Sequence, residues 1–306
     1  MTTPRKILIT GGTGLLAKGM EETVPPGWDI VGVHLRDYRV TGSRARHLVL
    51  DVRDREAVLS LFARERFDVV VHAAGLASVD HVERHPDEGR ASNVGGTRNV
   101  AEACRRHGAY MVYVSTNAVF DGSKPPYRED APTAPLHHYG RIKLECERVT
   151  AESAGAHAIA RPILMYGWNH SVNRPNPVTW VYEKLLRGEA VQLVDDVFEN
   201  PLHNHPCGRA LWAMAEKRPA GIFHLAGADR VSRYELGLRT AAAFGLDAAL
   251  IQRVGSSFFP TIAPRPKDTT FVTERMEREL GVAPMTLEQG LGAMKAAMGV
   301  RTEGRP

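Results

Sequence analysis

The sequence predicts an α/β protein built on a doubly wound parallel sheet, with a smaller C-terminal lobe after it. Three observations carry this. Apolar runs of strand length alternate with stretches of helical period, a glycine-rich turn joins the first run to the first helix, and the alternation loses its regularity beyond residue 163, where Pro and Asn gather in WNHSVNRPNP. Continuous Val, Ile and Leu runs suit strands with no face open to water, the condition of a parallel sheet covered by helices on both sides.

The runs at 7–10, 30–33, 47–50, 69–72 and 112–115 are the expected strands. Residues 15–22 follow the glycine turn and 55–64 follow Asp51, while 93–107 place Val94, Val100, Ala101 and Cys104 at helical spacing; each is an expected crossover helix. A further helix is expected around 180–187. The boundary between a first domain, residues 1–165, and a second lobe, residues 166–306, falls near Tyr166, with 221–226 free to return to the first domain.

A chain of 306 residues buries a large core and needs no stapled scaffold. Its 43% hydrophobic and 24% charged residues are those of a globular protein rather than a disordered or fibrous one. The net charge of +4 is scattered among acids, so no nucleic-acid partner is expected. Cys104, Cys146 and Cys207 are odd in number and lack CxxC spacing, which indicates neither a disulfide framework nor a zinc site; a reducing cytoplasm is the expected location. Arg5 and Lys6 precede an apolar stretch that ends at Gly11, a strand rather than a signal peptide. No stretch reaches the ~20 apolar residues of a membrane span, so no membrane partner is expected. His203 and His205 are too loosely placed for a metal site, and none is expected; Trp168, Trp180 and Trp212 read as core more readily than as pocket.

The first chemical signal is KILITGGTGLLAKGM, which sets Gly11, Gly14 and Ala17 three apart directly after a strand and at the mouth of a helix. Gly11 permits the tight turn, Gly14 lets backbone approach a ligand, and the small Ala17 lets helix and strand pack closely. The unpaired N–H groups of Thr13, Gly14, Leu15 and Leu16 at the helix start suit a dinucleotide diphosphate. This is the Rossmann arrangement. Where an acid would hold the ribose 2′-OH of NAD, the second strand instead runs into His34, Leu35 and Arg36, and Arg36, with Arg39 nearby, suits the 2′-phosphate of NADP(H). Asp51 and Val52 after the third strand are placed to meet the adenine, although such an Asp is also a common helix cap.

The second signal is HHYGRIKLE. Tyr139 and Lys143 lie four apart on one helix face, where an ammonium would lower the phenol from its ordinary pKa near ~10 and prepare it for proton transfer. Upstream, YVSTNAVFDG puts Thr116 at the C-terminal end of a strand, where ligands bind in open α/β sheets and where its hydroxyl can orient a carbonyl oxygen. Asn93, opening the expected helix, is either a cap or a member of a proton relay.

TGGTGLLA, HAAG at residues 72–75, NVGGTRNV, STNAVFDG and YGRIK occur in the order of the extended short-chain dehydrogenases, which this chain resembles. Within that group VDHVE at 79–83, VFDGSKPPYRED and the late APRPKDT resemble dTDP-4-dehydrorhamnose reductases. The resemblance implies that Thr116, Tyr139 and Lys143 are catalytic, that Ala73, Ala74 and Gly75 line the cofactor, and that Thr116, Asn117 and Arg265 meet a nucleotide sugar, with Arg265 toward its diphosphate. It also implies NADPH-dependent reduction of a C4 ketone. The chain departs from those reductases at Asn117, where they commonly carry Asp, and at Leu164, where they carry Trp. Asn117 and Ala118 cannot exchange protons as the Asp-Glu pair of sugar-nucleotide dehydratases does, and the lack of an acid at His34 speaks against an NAD-recycling epimerase. PPYRED and the Arg36 region also resemble the regulatory β subunit of methionine adenosyltransferase, which implies the rival reading of an NADP-binding partner protein without turnover. A homodimer is compatible with the sequence, and nothing in it specifies one.

Overall fold

A computed structural model describes residues 4–260 and 262–302, the backbone alone for 299–302. The ends of the two expected domains, residues 1–3 and 303–306, lie outside the described residues.

Seven parallel strands form the central sheet. They are β1 (Arg5–Thr10), β2 (Trp28–His34), β3 (Arg46–Val49), β4 (Val69–His72), β5 (Tyr110–Val114), β6 (His157–Pro162) and β11 (Gly221–Leu225), in the spatial order β11-β6-β5-β4-β1-β2-β3. The alternation of side chains explains why the strands read as unbroken apolar runs. Ile7, Ile9, Val69, Val71 and Val112 point into one core, while Leu8, Val70, Met111 and Tyr113 point into another on the opposite face, and both cores are roofed by helices.

On the first face lie α1 (Leu15–Glu22) and α8 (Asn204–Lys217), joined where the Trp212 indole donates to the Met20 carbonyl at 2.8 Å. On the second lie α2 (Arg55–Glu65), α5 (Gly96–His107) and α6 (His138–Ser153). The helix expected at 93–107 begins earlier. α3 (Val79–Arg84) ends at His85, whose backbone is not helical; from there α4 (Pro86–Arg90) runs without a break through a wide turn at Ala91–Gly95 into α5, because Pro86 serves the first turn of α4 and nothing stops the helix before Gly108. Asn93 is therefore no cap: its amide brackets Leu76, accepting from the Leu76 N–H at 2.7 Å and donating to the Leu76 carbonyl at 3.1 Å.

The second half contributes twice. β11 completes the sheet edge beside β6, and α8 covers β1's flank; the rest forms a separate packed body. There α7 (Pro177–Leu186), α9 (Arg233–Phe244) and α10 (Leu287–Thr302) enclose two small apolar clusters, and short strands brace them: β7 (Met165–Tyr166) pairs with β10 (Leu202–His203), β8 (Val191–Val194) with β13 (Ile251–Val254), and β9 (Phe198–Glu199) with β12 (Val231–Ser232). Trp212 is core, Trp168 packs against the cluster around Tyr166, and Trp180 is partly exposed. Among the described residues no helix is long and apolar enough to cross a membrane.

Candidate functional site

The strand order reverses at β1, so the crevice at the C-terminal ends of β1 and β4 is the place where a parallel sheet receives a ligand. The glycine turn occupies it. Gly11 has φ +74°, a left-handed conformation that suits glycine, and a Cβ there would lie 3.2 Å from the Ala73 carbonyl. Gly12, which the three-residue spacing did not mark, is as constrained: its Cβ would come 2.6 Å from the Gly32 Cα, backbone against backbone. Gly14 caps α1 with no side-chain bond, and the first turn of α1 carries no acid, so its N–H groups and positive dipole end are left to a ligand. These donors fit a diphosphate.

Thr10 and His72, both buried, shape the facing wall. The Thr10 hydroxyl accepts from the N–H groups of Ala73 (3.1 Å) and Ala74 (3.0 Å), so its hydrogen goes to His72 Nδ1 at 2.7 Å. Burial, helped by the nearby Lys143 charge, holds His72 down to about 3, which keeps it neutral with its proton on Nε2, facing Thr97 at 3.2 Å. The chain Thr10–His72–Thr97 thereby fixes Ala73 and Ala74, and Gly75 follows with φ +155°, its Cβ position filled by Asn93.

At the end of β2, His34 Nδ1 donates to the Arg36 carbonyl, and the Arg36 side chain is exposed, where an incoming phosphate could reach it. Asp51 is not a helix cap, a role that Asp54 takes for α2 by accepting from the Ala57 N–H at 3.0 Å. Arg53 instead grips Asp51 with bonds of 2.9 and 2.6 Å, holding its carboxyl below the usual range, and Asn99 fixes the adjoining Val52 carbonyl at 3.0 Å.

Thr116, Tyr139 and Lys143 meet beside β5. Thr116 follows that strand and opens a short turn at Asn117–Val119, its hydroxyl accepting from the Ala118 N–H at 3.2 Å. Tyr139 lies in the first turn of α6, which is capped by His137 accepting from the Gly140 N–H at 3.1 Å, and its phenol shares a hydrogen bond with Thr116. The electrostatics differ from the sequence expectation. Burial pushes the Tyr139 phenol up to about 12, against the pull of Thr116, and Lys143 does not draw it down. The reason is the ammonium's own placement: Lys143 Nζ donates to the Val114 carbonyl at 2.6 Å and lies 4.4 Å above the Tyr113 ring. Burial brings Lys143 down to about 8 in spite of the pull of Cys146 and Glu147. The phenol is thus a neutral hydrogen donor at physiological pH, backed by a desolvated cation.

The opposite wall comes from the second half. Asn117 Nδ2 donates to Glu199 Oε1 (3.0 Å) and Thr269 Oγ1 (2.7 Å), and Glu199 Oε2 faces Arg233 at 2.7 Å. Arg265, partly exposed, is held by Asp80 of α3 at 2.8 Å. Behind the site Glu147 and Arg161 form a buried pair at 2.7 Å, with Ser115 also donating to Glu147. Thr10, His72, Asp80, His137, Glu147, Arg161 and Glu199 were not legible as site residues. His203 caps α8 and His205 binds Glu22 at 3.0 Å; among the described residues no group of three ligating side chains is arranged to hold a metal.

Known proteins share this architecture. The family model described as RmlD substrate binding domain matches residues 5–299. The methionine adenosyltransferase 2 subunit beta of Rattus norvegicus is 31% identical over 290 residues, covering 92% of this chain and 84% of that one. A probable low-salt glycan biosynthesis reductase of Haloferax volcanii is 28% identical over 295 residues, covering 94% and 97%. Among solved structures, dTDP-4-dehydrorhamnose reductase from Bacillus anthracis in complex with NADP superposes with a TM-score of 0.85 at 25% identity, covering 96% of this chain and 99% of that one.

Proposed function

The chain belongs to the RmlD substrate binding domain family, and from that premise we propose that it is an NADPH-dependent reductase of a keto group, the C4 ketone of a nucleotide-activated deoxysugar. The observation that carries the reading is the Thr116–Tyr139 pair at the mouth of the sheet, with the phenol held in its protonated form. NADPH would supply the hydride. In this reading the turn at Gly11, Thr13, Gly14, Leu15 and Leu16 binds the diphosphate, Arg36 binds the 2′-phosphate, Asp51 and Val52 face the adenine, and Ala73, Ala74 and Gly75 form the wall beneath. Thr116 and Tyr139 hydrogen-bond the ketone oxygen, and Tyr139 gives it a proton as the carbon is reduced, which yields an alcohol and a phenolate. Lys143, one turn along the helix and anchored on the Val114 carbonyl, supplies the positive charge behind the pair. Asn117 and Arg265 contact the sugar nucleotide.

NADPH oxidation measured against a panel of dTDP-, UDP- and GDP-linked 4-keto sugars tests enzyme, substrate and direction together. The likeness to the adenosyltransferase β subunit favours a second reading, a cofactor-loaded partner protein. A silent panel with firm NADPH binding would select it. Arg36 is tested separately: charge-assisted hydrogen bonds contribute about 1.5–3 kcal/mol, so Arg36→Ala should weaken NADPH roughly 10- to 100-fold and leave NADH unchanged, as titration of cofactor fluorescence would read.

A further inference from the structure

Asn117 sits between the Thr116 hydroxyl and a polar cluster of the second half, and its geometry is over-determined. A carboxylate accepts hydrogen bonds and cannot donate, so the side of the amide that faces Glu199 Oε1 at 3.0 Å must be the nitrogen. The second amide hydrogen goes to Thr269 Oγ1 at 2.7 Å, on a residue that is 2% exposed. With both hydrogens engaged, Asn117 Oδ1 faces the Thr116 hydroxyl at 3.3 Å. Thr116 accepts from the Ala118 N–H and, in the pair with Tyr139, from the protonated phenol, so its one hydrogen is left for Asn117 Oδ1. Glu199 is paired in turn with Arg233, whose guanidinium lies 2.7 Å from its Oε2.

We infer that Glu199 is a positioning residue: by locking the Asn117 amide it keeps the Thr116 hydrogen on a weak, neutral acceptor, from which an arriving carbonyl can take it. This rests on the reductase reading of the Thr116–Tyr139 pair. A carboxylate at 117 would hold the same hydrogen about twice as strongly and would confront Glu199 with a like charge. An apolar residue at 199 would release the amide to rotate and leave the hydroxyl without a fixed direction.

The experiment joins kinetics to a direct view of the amide. Wild type, Glu199→Ala, Glu199→Gln and Asn117→Asp are assayed on the keto sugar that wild type reduces, and their side-chain amide resonances are followed by NMR, the Asn117 pair being assigned by its loss in Asn117→Asp. Glu199→Ala should lower kcat about tenfold with KM changed less than about threefold, as loss of orientation without loss of binding predicts. It should also shift the Asn117 pair and speed its hydrogen exchange. Glu199→Gln keeps an acceptor oxygen and should recover most of kcat. The proposal is overturned if Glu199→Ala leaves kcat intact, if Glu199→Gln fares no better than Glu199→Ala, or if the Asn117 pair does not move. A wild type silent on every keto sugar would sink the reductase reading instead, and the amide resonances would then decide on their own whether Glu199 fixes Asn117.

Discussion

Tyr139 is a donor that the protein keeps loaded. A phenol raised to about 12 by burial carries its hydrogen throughout the physiological range, which is the form a reduction needs. Tyr139→Phe should therefore lower turnover by roughly 10²- to 10⁴-fold, the usual share of a general acid, while NADPH still binds; a variant with wild-type turnover would remove Tyr139 from the chemistry. The charge behind it sets the pH dependence. Lys143, brought down to about 8, is an ammonium below that pH and loses its proton above it, so kcat/KM for reduction should hold up to about pH 8 and then fall. In Lys143→Met that descending limb should vanish from a low, flat profile. Spacing in the sequence puts Tyr139 and Lys143 on one helix face. It does not disclose that the ammonium is engaged by the Val114 carbonyl and the Tyr113 ring, because a helical period fixes direction and says nothing of what an approaching strand presents.

Elements were legible where one physical demand dominated. The central strands are dry on both faces and the first crossover helices carry one apolar stripe, so β1, β4 and α1 stand close to where their patterns put them. The glycine turn was legible through its spacing, but Gly12 was not, since its need comes from β2 passing alongside rather than from its own turn. That contact yields a prediction. Gly12→Ala puts a methyl into backbone that cannot swing aside, and the overpacking should cost about 1–3 kcal/mol in denaturant unfolding and weaken NADPH binding as well. An unchanged midpoint with unchanged binding would mean that β2 yields more readily than its packing implies. The late strands escaped notice for a plain reason: β7, β9, β10 and β12 are two residues each, too short to show any period.

At the scale of the molecule, sheet and second lobe are one folding problem. β11 supplies the edge beside β6, and Cys207, Ala210, Leu211 and Met214 of α8 fill the core that α1 and β1 share. A fragment of residues 1–165 would leave β6 as a bare edge and that core open to water. Expressed alone it should aggregate or lack near-ultraviolet circular dichroism, whereas the whole chain should unfold in one transition; a fragment with a sharp melt of its own would contradict this. The site follows the same logic. Its first-half residues come from motifs whose chemistry is local, and Glu199, Thr269 and Arg233 come from segments that only the fold brings to Asn117.

Asn173, from the loop before α7, donates to the carbonyl of Thr13 inside the diphosphate turn. One edge of the dinucleotide cradle is thus shared property, steadied by a segment of the body that would grip the sugar. Linkage then makes the two ligands partners: whatever factor the coenzyme contributes to sugar affinity, the sugar returns to the coenzyme in equal measure.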